Sequence, residues 1–192
     1  MIVHSRRLWL ASVVLGLCAC AAAPVAERHE LPMLRLSPAL LTESASLQQR
    51  LRVTRLDDGR VAAQSIDVQL QLEPGGLLLA AFALGQRVLL LQWDGQDLQE
   101  QRHAMLPASV DAAHLLRDMS LVYWPAASVQ QALPQGWSFI ETEAGRELRH
   151  DGQLAVSIRI DGPLLGRSQV QLRNLQEHYA LQIESAPQEG AP

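Results

Sequence analysis

Ile66-Asp67-Val68-Gln69-Leu70-Gln71-Leu72-Glu73-Pro74-Gly75-Gly76-Leu77-Leu78-Leu79-Ala80-Ala81-Phe82 is the stretch that decides the fold. Its first eight residues alternate apolar and polar without a break. That is the period-two pattern of a strand with one face in a core and one in water. Pro74-Gly75-Gly76 then reverses the chain, and so short a turn joins only antiparallel neighbours. The returning strand, Leu77 to Phe82, is apolar on both faces, as is Val88 to Leu91 after it. An antiparallel sheet with one wet face should alternate there, so the second face of these strands is expected to be covered.

Working outward, the same alternation recurs at Leu154, Val156, Ile158 and Ile160, and at Tyr179, Leu181 and Ile183. Asp57-Asp58-Gly59, Asp94-Gly95, Ala144-Gly145, Asp151-Gly152 and Asp161-Gly162-Pro163 punctuate the chain at short intervals. Asp-Gly pairs supply the positive φ of tight hairpins. Strands are therefore predicted at 47–56, 61–73, 77–84, 87–93, 96–102, 137–142, 145–150, 153–160, 167–175 and 178–185. Residues 33–36 are a possible further strand.

One segment breaks the pattern. Ser109 is predicted to N-cap a helix with Asp111 in its first turn. Ala112, Leu115, Leu116, Met119 and Val122 fall on one face of it, and Asp111, His114 and Asp118 on the other. Pro125 pushes Trp124 out of the helical region and ends the run. A second short helix, Ala126 to Leu133, stops at Pro134 and Gly136. The predicted fold is mainly β with a small α part: a curved antiparallel sheet forming an incomplete (half) barrel of ten to eleven strands. The two helices are its only apolar cover. They are expected to lie as a lid in the concave face, with a small apolar space beneath.

The first twenty residues read as a targeting segment. Arg6 and Arg7 precede an apolar run, Leu8 to Leu17, that is too short to span a bilayer. Leu17-Cys18-Ala19-Cys20 follows, and it looks like a bacterial lipoprotein signal: Leu at −3, a small residue at −1, Cys at +1. Cys18 would have bulky Leu17 before the cleavage point, so Cys20 is the expected lipidated residue. Its acyl chains would anchor the protein stably to a membrane. Ala21 after it, by resemblance to other bacterial lipoproteins, implies the outer membrane, periplasmic face. The expected organisation is a signal peptide at 1–19, a lipidated Cys and tether at 20–32, one domain at 33–186 and a disordered tail at 187–192.

Composition narrows the function. All 16 basic residues are Arg, and the formal net charge is −4, which argues against nucleic acid. The sequence carries no Gly-x-Ser-x-Gly elbow, no His-Glu-x-x-His and no phosphate loop, so neither a catalyst nor a cofactor or metal site is expected. His29 falls in the tether, His103 in a connection, His114 on the polar helix face, and His150 and His178 on polar strand positions. Asp57-Asp58 and Glu141/Glu143 fall at a turn and a strand end, where solvation accounts for them.

Apolar surface remains. Phe82, Trp93, Leu115, Leu116, Met119, Tyr123, Trp124 and Trp137 flank the expected seam between sheet and lid. They either fill the core or line a pocket for an acyl or polyene chain. Leu164 and Leu165, inside Gly162-Pro163-Leu164-Leu165-Gly166, form an uncharged hairpin tip. They either fold back over the barrel's open end or dip into a bilayer. A protein partner, with no ligand bound, is the other functional reading.

Leu115-Leu116-Arg117-Asp118-Met119-Ser120-Leu121-Val122-Tyr123-Trp124-Pro125 resembles the "LL-x-D-x-x-L-x-x-W-P" stretch of a bacterial lipoprotein family of unknown function, often encoded among aryl-polyene synthesis genes. Leu36-Ser37-Pro38, Gln48-Gln49, Gly85-Gln86-Arg87-Val88, Trp93-Asp94-Gly95, Arg146-Glu147-Leu148, Asn174 and Tyr179-Ala180-Leu181 match it in order. That family is similar to the lipoprotein-localisation proteins LolA and LolB. The resemblance implies an incomplete barrel with helices as a lid and acyl chains held inside.

Overall fold

Alternating side chains commit each strand to one buried face, and the short turns between strands leave a meander as the simplest pairing. The computed structural model describes residues 29–57, 65–107 and 110–188. The strands are β1 Ala45–Arg55, β2 Ile66–Glu73, β3 Gly76–Ala83, β4 Gln86–Trp93, β5 Leu98–Arg102, β6 Trp137–Thr142, β7 Gly145–His150, β8 Gln153–Asp161, β9 Ser168–Asn174 and β10 Tyr179–Pro187. Between β5 and β6 lie helices α1, Ala112–Tyr123, and α2, Ala126–Ala132.

All ten strands form one antiparallel sheet in the order β5-β4-β3-β2-β1-β10-β9-β8-β7-β6. Two five-strand meanders meet where β1 pairs with β10, Leu51 opposite Ile183. The outermost strands, β5 and β6, are not paired with each other among the described residues, so the barrel stays open. The helical segment connects these two edges. The fold class read from the sequence is the one observed.

Leu47, Leu70, Leu72, Leu91, Leu148, Ile158 and Leu172 project from the inner face and are almost wholly buried. Against them lies α1, whose Leu116, Met119, Leu121 and Val122 are at most 1% exposed. Trp124 just after it, and Val129 of α2, are equally buried. Side chains of α1, α2 and the sheet thus pack into one core where a space under the lid was expected.

Several boundaries differ from the sequence reading. Ser109 lies outside the described residues. Asp111 is the N-cap rather than a first-turn residue, its carboxylate accepting from the backbone N–H groups of Ala113 and His114. That pairing holds the Asp111 carboxyl below its ordinary pKa. β5 begins at Leu98 rather than 96, because Asp94 accepts from the N–H groups of Gln96 and Asp97 and tightens the turn. Residues 61–64 of the expected second strand, and 189–192 of the expected tail, lie outside the described residues.

Residues 33–36 are not a strand. Leu34 and Leu36 belong instead to a non-regular strap running over the inner face, together with Leu31 and Leu41. The strap begins earlier than the tether reading allowed. Leu31 is 2% exposed, and the N–H of His29 donates to Gln176. Apolar spacing in so short a segment cannot distinguish a strand from an extended strap without ladder partners.

The apolar second face of β3 and β4 is also placed differently. Phe82 pairs with exposed Asp67 and Arg87, and cross-strand partners share a face. Leu78 and Leu90 lie on the same outer side, half-buried, opposite Gln71 and Ala80. The helices cover the inner face only, and this outer stripe is a surface feature.

Candidate functional site

Helix α1 threads the half-barrel from one rim to the other. A helix with one wet face should show a polar stripe. Yet Arg117, Asp118 and Ser120 are buried along with the apolar residues. Asp118, expected on the polar face, is 4% exposed. The sheet curls far enough round α1 that no face of its middle turns meets water.

Burying ions demands partners. At the middle of α1, Arg117 Nε and Nη2 donate to Asp118 Oδ1, both at 3.1 Å. Its Nη1 and Nη2 also donate to the two oxygens of Glu177 at 2.6 and 2.8 Å. Tyr179 donates its hydroxyl proton to Asp118. Glu177 is presented by the turn between β9 and β10. Asn174 Oδ1 there accepts from the N–H groups of Gln176 and Glu177, while its Nδ2 donates to Glu177.

The charges respond accordingly. Burial pushes the Asp118 carboxyl up despite Arg117 beside it. Burial would also raise Glu177, but the bonds and charge of Arg117 outweigh it and hold that carboxyl below its ordinary value. Burial and the adjacent Asp118 carboxylate push the Tyr179 phenol up.

The C-terminal end is different. Tyr123 is 5% exposed and its phenol is raised by burial. Gln49 Nε2 donates to the Tyr123 hydroxyl at 2.6 Å and to Ser185 Oγ at 2.9 Å. The last carbonyls of α1 have no intrahelical partners. Arg146 of β7 supplies them, its Nη1 donating to the carbonyls of Val122 and Trp124, both at 2.8 Å. Trp124 Nε1 donates to the carbonyl of Ser37, and Trp93 Nε1 to that of Leu36, so two indoles tie the strap down.

The sequence-predicted residues divide as follows. Trp93, Leu116, Met119, Tyr123 and Trp124 come together in the core, with Leu115 half-buried against it. Phe82 does not join them, since it faces outward on β3. Trp137 is half-buried on β6, its ring 4.7 Å from that of His150, which in turn lies 4.0 Å from His29. Leu164 and Leu165 are half-buried and pack against the core. With Tyr123, Pro125, Arg146 and Pro163 they line an open cleft of about 540 Å³. Gly162 makes their hairpin possible: at φ +87°, a Cβ there would sit 2.6 Å from the carbonyl of Arg167. Cys20 lies outside the described residues.

Reasoning from sequence missed the Arg117–Asp118–Glu177–Tyr179 cluster and the polar contacts of Gln49, Ser185 and Arg146. A signal for the first was present: Leu121 falls opposite the predicted apolar stripe, which points to burial all round. Gln49 was legible too, being in phase with Leu47 and Leu51.

Fold and interior define a class: an open antiparallel half-barrel closed by its own central helix. Residues 46–187 match the model of a family described as protein of unknown function, DUF3261, and the chain belongs to that family. Among solved structures it is similar to a LolA superfamily protein from Nitrosomonas europaea. The identity is 10% and the TM-score 0.43, over 81% of this chain and 91% of that one. No curated protein matches.

Proposed function

We propose that the protein is a membrane-anchored, non-enzymatic carrier or receptor for a hydrophobic chain, held at the outer membrane through lipidated Cys20. The observation that carries this reading is the relation between α1 and the sheet. Among the described residues every strand pairs with at least one other strand, and no ladder of the sheet uses α1. What α1 provides, beside the Arg117–Asp118 ion pair at its middle, is apolar volume in a largely apolar trough that is open along one side. A helix that leaves such a trough exposes a lining matched to an acyl or polyene chain, apolar with few polar groups. The sequence's resemblance to lipoproteins found with aryl-polyene synthesis genes supports the same class of ligand.

Native mass spectrometry of the full chain released from its membrane tests the reading. Adducts beyond the protein's own acylation, in the mass range of acyl or polyene lipids, are expected. A clean apo spectrum under conditions that preserve lipid adducts on a control carrier contradicts it.

One observation favours the other reading, an accessory lipoprotein acting through a protein partner. The outer face of β3 and β4 carries Leu78, Phe82 and Leu90, whereas the outward positions of the neighbouring β2 carry Asp67, Gln69, Gln71 and Glu73. Phe82→Glu separates the two: it should leave lipid adducts intact and abolish any co-purifying protein.

A further inference from the structure

Three polar side chains interrupt the apolar inner wall in one row. Gln49, Ser185 and Ser168 are directly opposed across β1, β10 and β9. Gln49 is in phase with Leu47, Ser185 with Ile183, and Ser168 with Val170, so all three point inward. They are 4%, 6% and 5% exposed. Tyr123 covers the row through its bond from Gln49. Even so, Gln49 Oε1 and Ser168 Oγ have no hydrogen-bond partner. Turning the Gln49 amide over exchanges which amide atom faces the hydroxyls, and still leaves Ser168 unmatched.

Orphaned polar atoms in a low-dielectric interior are costly, and apolar residues of similar shape would be neutral or better for a helix plug. The contrast with the Arg117 cluster is direct, because every ion there is matched. The row also lies beside an entrance. Ser168 follows the hairpin that carries Leu164 and Leu165, and Tyr123 lines the cleft those leucines border. The cation of that cleft, Arg146, is engaged with the end of α1 and with Glu141 at 3.3 Å. The row itself is uncharged.

We propose that the Gln49–Ser185–Ser168 row, with Tyr123 as its displaceable cover, seats the neutral hydrogen-bonding group of an acyl ligand, of the glycerol-hydroxyl or ester type. A hydroxyl both donates and accepts, so it satisfies Gln49 in either amide orientation and Ser168 as well. A carboxylate only accepts, and nothing in the row neutralises it. This inference rests on the acyl-carrier reading and adds the chemistry of the ligand's polar end.

The test is displacement of a fluorescent fatty-acid analogue from the full chain by monoolein and by oleate. Wild-type protein is expected to prefer monoolein. Gln49→Leu with Ser168→Ala should lower monoolein affinity about tenfold, the loss expected for one to two hydrogen bonds, and leave oleate affinity unchanged. Ser168→Ala alone removes an orphan, so it should fold at least as stably as wild type while losing part of the preference. It keeps the test decisive if the double variant does not fold. Equal binding of the two lipids by wild type, or a preference undiminished by Ser168→Ala, overturns the proposal and leaves the acyl-carrier reading standing. Binding of neither lipid, nor of the analogue, overturns both.

Discussion

The middle of α1 buries ions, and its C-terminal turn buries neutral polar groups. Arg117, Asp118, Glu177 and Tyr179 form a closed set in which each charge faces its opposite. At the last turn, Tyr123 meets a row in which two polar atoms go unmatched. A buried ion that loses its partner is strongly destabilised, whereas a neutral hydroxyl or amide costs less to uncover. The same helix is thus pinned at its middle by matched ions, while the side chain of its last residue, Tyr123, rests on unmatched neutral atoms beside carbonyls that Arg146 holds. Motion that uncovers the trough should begin at Tyr123, with release of the Arg146 bonds to the helix end, and hinge near Arg117.

The largest effect is expected at the pinned middle of the helix. Arg117→Met strands two carboxylates, one of them fully buried, and should cost about 3–5 kcal/mol in urea denaturation. A loss under about 1 kcal/mol would mean that the cluster does not pin the helix.

Leu116→Ala comes next. Leu116 is wholly buried in the middle of α1, and truncation at such a site costs about 2–5 kcal/mol. A small stability change accompanied by lost lipid retention would instead make this stretch a mobile gate, moving the hinge away from Arg117.

Asp111→Ala removes the side-chain cap of α1 and should cost about 1 kcal/mol, with no change in lipid binding.

The smallest effect concerns pH. Glu177 is held below its ordinary value of 4.5 against Arg117, with His114, Asp118 and Tyr179 also facing the cluster. A carboxyl depressed on folding contributes stability above its unfolded pKa, and that contribution is lost as pH falls through the folded value. Asp118, raised by burial, acts in the opposite sense: its charge is a liability at neutral pH that acid relieves. The stability gap between wild type and Glu177→Gln should therefore be widest near pH 7 and close below 4.5. A gap independent of pH would show that Glu177 acts through shape alone.

The two regions were also unequally legible. The sheet could be read because alternation needs only neighbouring residues, and turns such as Asp151-Gly152 fix each pairing locally. The pinned cluster joins residues about 60 positions apart, and a helical-wheel reading assumes a wet face that α1 lacks. Asp118 was misplaced for that reason. Phe82 was misplaced because an apolar strand does not say which of its faces meets the core. The neutral row was within reach, since Gln49, Ser168 and Ser185 each break an inward apolar phase, but such a break becomes informative only once three strands are known to align.

The pinned middle and the last turn of α1 can be compared directly by hydrogen exchange on the full chain, with and without monoolein. With lipid bound, amides of the last turns of α1 towards Tyr123 should exchange faster, while those of β1 and β10 stay protected. The turn carrying Arg117 should change least. An α1 that remains as protected as the central strands while lipid is demonstrably bound would contradict displacement of the helix from the trough.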